Sequence, residues 1–77
     1  MIIPVTMAKD IKQQLAARVR QLRKKHGYSQ EELALLAGID YKHIQKIEGK
    51  SPVAVKIETL EKLAKAFKMT SSQLLDF

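Results

Sequence analysis

The chain contains no cysteine, which removes both a disulfide framework and thiolate metal sites as ways to reinforce its core. Long apolar runs are missing too, and the longest is far too short to span a bilayer. The opening MIIPVTM has neither a basic stretch nor the long apolar segment of a secretory signal. A cytoplasmic protein with no membrane association is expected. The two histidines, His26 and His43, have no cysteines to complete a zinc set, so neither a metal nor another cofactor is expected. Nothing sets a nucleophile beside a base. Ser29 reads as a helix cap, and Ser51, Ser71 and Ser72 fall in loop or cap positions, so an enzyme is not expected and no catalytic residue is assigned. Strand-like alternation is absent except for the short IIPV, which reads as an arm.

What remains is a single small domain of 77 residues, near the lower limit of what one core can stabilise alone. Acidic residues are few: eight Asp and Glu face fourteen Lys and Arg, for a net charge of +6. So basic a domain is suited to a polyanion, whose condensed counterions several cations on one face displace. The same charge also fits a merely well-solvated surface, and only its placement separates the two.

The apolar pattern is helical. Ile11, Leu15, Val19 and Leu22, with Ala16 and Ala17 between them, predict an amphipathic helix over about 8–25, ended by Gly27. Ser29 and Glu32 form a capping box for a second helix with Leu33, Ala34, Leu36 and Ala37 on its buried face, ended by Gly38. Asp40 caps a third, with Ile44 and Ile47 inside and Gly49 at its end. Ile57, Leu60, Leu63, Ala64 and Phe67 mark a fourth, and Ser71 or Ser72 caps a last turn containing Leu74 and Leu75. The fold class expected is all-α with five helices.

Within this frame, QEELALLAGIDYKHIQKI has the layout of a helix-turn-helix. Counting Gln30 as the first position, a small residue (Ala34) falls at the fifth, where the second helix of the pair crosses closely. Gly38 falls at the ninth, where a tight turn demands positive φ, and Ile44 and Ile47 supply the inward contacts.

The segment from Arg18 to Phe67, through RVRQLRKKHGYSQEELALLAGI, IQKIEGK and LEKLAKAF, resembles the lambda-repressor-like, or XRE, helix-turn-helix family. The resemblance implies a five-helix bundle at residues 8–77 behind an N-terminal arm at 1–7, with the helix-turn-helix unit at about 30–48. It implies a DNA-binding transcriptional regulator whose third helix enters the major groove of double-stranded DNA. On that geometry Tyr41, Lys42, His43, Gln45 and Lys46 are candidates for base contact, and Arg18, Gln30, Lys50 and Lys56 for phosphate contact. It also implies an ion pair between Arg23 and the Glu48 of the IEG motif, with a structural role.

The closing FKMTSSQLLDF is a surplus apolar element. Phe67, Leu74, Leu75 and Phe77 are expected either to form a homodimer contact, which would read a roughly palindromic operator, or to cap the monomer's own core. The rival to a nucleoid-associated regulator is an antitoxin or other interaction module whose main ligand is a protein such as a toxin.

Overall fold

The computed structural model describes residues 11–49 and 53–77. The expected arm, the expected helical residues 8–10, and Lys50, Ser51 and Pro52 lie outside that range. The described residues form five helices: α1 (Ile11–His26), α2 (Gln30–Ala37), α3 (Tyr41–Glu48), α4 (Ile57–Ala66) and α5 (Ser71–Leu74).

Local hydrogen bonds account for most of the boundaries. Ser29 Oγ accepts from the Glu32 amide, while Glu32 Oε1 accepts from the Ser29 amide, both at 3.0 Å, so two otherwise unpaired donors at the start of α2 are satisfied. Gly38 closes α2 with φ 68° and ψ 36°, a conformation that costs a side-chain-bearing residue roughly 1 kcal/mol. Asp40 Oδ1 accepts from the Lys42 amide at 3.3 Å and opens α3. α4 ends without a glycine: Lys68 itself takes the left-handed conformation at φ 59°, and the following Met69 amide donates to Ala64 O at 2.9 Å. α5 is capped by Thr70, not by Ser71 or Ser72 as expected. Thr70 Oγ1 accepts from the Gln73 amide and Gln73 Oε1 from the Thr70 amide, a second capping box that requires Gln73 three residues after the cap.

α2 packs on α3 and α4, α3 on α1, and α4 on α5. Val19, Leu33, Ile44, Leu63 and Leu74 are wholly enclosed where these helices meet, with Ile47 and Phe67 beside them. Three helical residues expected inside lie outside. Ile11 and Ile57, each the first residue of its helix, are exposed. Leu36 is exposed because α2 is covered on one side only. At about 100° per residue, Leu33, Ala37 and Ala34 share an arc of about 100°, and Leu36 falls some 60° beyond it.

The expected dimer contact splits. Phe67 and Leu74 are only 2% and 0% exposed, so they belong to the monomer's core and are unavailable to a partner. Leu75 and Phe77 remain 39% and 47% exposed. α5 presents one face to the core, so adjacent residues Leu74 and Leu75 meet opposite surroundings.

Candidate nucleic-acid interface

With Ile44 and Ile47 turned inward, the helical period puts Lys42 and Lys46 on the opposite face of α3. Gln45 lies on one flank of that face and His43 on the other. Tyr41, Lys42, Gln45 and Lys46 are exposed and His43 is half-buried. The Lys42 and Lys46 side chains make no ion pair among the described residues.

Behind this face lies a polar cluster centred on Glu48, the one buried charged residue among those described. Glu48 is four residues from Ile44 and therefore shares the inner face of α3. Arg23 of α1 grips its carboxylate through two bonds, Nε to Oε2 at 2.8 Å and Nη2 to Oε1 at 3.1 Å. This fork-to-carboxylate geometry is the strongest form of such a pair. A third bond, from Arg23 Nη1 to Tyr28 O at 3.0 Å, commits the rest of the guanidinium to the α1–α2 link. Two members of the cluster are not evident from sequence. Gln30 Nε2 donates to Glu48 Oε1 at 3.3 Å, and Arg20 Nη1 donates to Glu48 O, on the last turn of α3, at 3.1 Å. Arg20 and Arg23, three residues apart on one helix face, were the available signal. Every buried side-chain nitrogen and oxygen among the described residues has a partner. Removing one member of a buried pair leaves the other charge stranded, at a cost of about 3–5 kcal/mol.

The expected phosphate ligands do not all fall together. Gln30, half-buried, is the first residue of α2, where unpaired amides and the helix dipole attract an anion. Lys56 is exposed immediately before α4. Lys50 lies outside the described residues. Arg18 is diverted: its Nε donates to Leu74 O at 3.3 Å and its Nη2 to Gln73 O at 3.1 Å, so it caps the carboxyl end of α5. The free carbonyls of a helix end attract a guanidinium for the same reason that a phosphate would. Among the described residues no helix is long and apolar enough to cross a membrane, and no cluster of three or more His, Asp or Glu is arranged to hold a metal ion.

The sequence profile of the helix-turn-helix family matches residues 19–75, nearly three-quarters of the chain. The chain belongs to the helix-turn-helix family. Its lambda-repressor-like character is borne out by solved structures. The restriction–modification controller protein C.AhdI from Aeromonas hydrophila is 32% identical, with a TM-score of 0.76 over 82% of this chain and 94% of that one. The biofilm master regulator SinR, solved in complex with DNA, is 34% identical with a TM-score of 0.74 over 80% of this chain and 98% of that one. SinR in its complex with SinI gives the same identity and TM-score, over 80% of this chain and 60% of that one. No curated protein matches the sequence. Within this helix-turn-helix family member, α2 and α3 are the paired helices and α1 is tied to both through Glu48.

Proposed function

We propose that the protein is a sequence-specific regulator of transcription, not an enzyme, that binds double-stranded DNA with α3 in the major groove. One observation carries this reading: the exposed Lys42–Lys46 face of α3 makes no ion pair among the described residues, while the opposite face is locked by the Arg23–Glu48–Gln30 cluster. A rigid helix presenting uncommitted donors is what recognition of base edges requires, and lysine suits guanine O6 and N7. Gln30 and Lys56, at two helix starts, would hold phosphates and fix the register. The site of action is the cytoplasm, on the nucleoid.

A homodimer would make the reading two-fold, with half-sites about one helical turn, ~34 Å, apart. Leu75, which shares a surface with Ile11 and Val53, and Phe77 are exposed apolar residues available for it. The alternative, a module whose main ligand is a protein, is favoured by Leu35 and Leu36, which leave α2 with an apolar outer edge; Leu35 is 83% exposed.

Selection of bound sequences from a random duplex pool, at low and near-physiological salt, tests the proposal. A two-fold motif that survives the higher salt is expected. Binding without a motif that vanishes as salt rises would overturn it in favour of a protein partner.

A further inference from the structure

The bond from Gln30 to Glu48 bears on more than stability. A carboxylate can only accept hydrogen bonds, so the Gln30 amide must turn its nitrogen, not its oxygen, toward Glu48 Oε1. An unpinned glutamine reverses freely and presents its oxygen to an approaching anion as readily as its N–H groups. Here one N–H is engaged inward, which fixes the rotation of the amide and leaves the second N–H in a defined place at the start of α2. Glu48 itself does not drift, because Arg23 grips both of its oxygens and Arg20 holds its carbonyl.

We infer that Glu48 is a positioning residue for DNA binding, orienting the Gln30 amide so that the phosphate at the start of α2 meets a donor. Glu48 is buried at the end of α3, so this bond ties the first residue of α2 to the last residue of the base-reading helix. This inference rests on the DNA-binding reading above and deepens it.

The sign of one substitution separates this role from plain electrostatics. Glu48→Gln removes a negative charge from the chain, so long-range attraction alone predicts tighter DNA binding. Positioning predicts the reverse: a loss of roughly tenfold, the scale of one hydrogen bond to a charged group, on every DNA sequence alike. Gln30→Ala should show the same uniform loss. The Gln30→Ala, Glu48→Gln double variant should bind like Gln30→Ala alone, because the intermediary is already gone. A purely structural role for Glu48 would instead multiply the two losses and change sequence preference.

Affinities are to be measured on several duplexes at a temperature where circular dichroism shows each variant folded. Side-chain amide relaxation of Gln30 in the unsubstituted protein gives a second readout that needs no variant to fold. An order parameter near that of rigid backbone, about 0.85, is expected, and a value below about 0.6 would overturn the inference. So would wild-type or tighter binding by Glu48→Gln, or multiplicative losses in the double variant. Failure of the unsubstituted chain to bind any duplex would sink the DNA reading itself, whatever the state of the Gln30 amide.

Discussion

Leu74 and Leu75 are alike in chemistry and adjacent in sequence, yet one is enclosed and the other stands on the surface. Nothing in either residue foretells this; it follows from which side of α5 meets the core. Lys68 is a second residue-scale surprise. A lysine accepts the left-handed conformation that closes α4 because the amide bonds beyond the helix outweigh its strain. Lys68→Gly should therefore raise stability by about 0.5–1 kcal/mol, read from the midpoint of urea unfolding. On the proposed groove face, Lys46→Ala should weaken discrimination at one or two base pairs by ~1–3 kcal/mol, measured by binding to a panel of single-base operator variants. An even loss across the panel would move Lys46 from base to backbone contact.

Caps decide the helices. The boxes Ser29–Glu32 and Thr70–Gln73 have the same chemistry, and both are legible as a hydroxyl followed three residues later by Glu or Gln. The serines beside Thr70 have Leu74 and Leu75 at that distance, and only Thr70 has Gln73. α5 is a single turn, too short to persist by itself, and depends on Thr70, on Leu74 in the core and on Arg18 at its carboxyl end. Thr70→Ala should cost about 1 kcal/mol, seen as a lowered unfolding midpoint. The diversion of Arg18 was not readable, because its partners are backbone carbonyls 55 and 56 residues away. The inward residues of α3 were readable, since Ile44 and Ile47 repeat at helical spacing.

At the scale of the molecule, the proposed dimer and the core compete for the same apolar tail, and packing has divided it between them. Leu75→Asp combined with Phe77→Asp should leave the helical spectrum and unfolding midpoint nearly unchanged while lowering the mass seen by analytical ultracentrifugation. A dimer that survived both changes would place the contact elsewhere. Leu74→Asp, by contrast, buries an unpaired charge and should unfold the chain outright, visible as loss of the helical circular dichroism signal.

The sequence by itself determined the helical class, most helix boundaries, the paired geometry of α2 and α3 and the outward face of α3. These rest on local periodicity and short-range hydrogen bonds, which the chain encodes within a few residues. Tertiary structure alone decided that Leu36 and Leu75 lie outside while Leu74 lies inside, that Arg18 is drawn to the end of α5, and that Gln30 and Arg20 join Arg23 at Glu48. Each of those outcomes depends on groups far apart in the chain competing for one buried place. Spacing along the sequence puts such groups on one helix face, as it does Arg20 and Arg23, but does not say which will win.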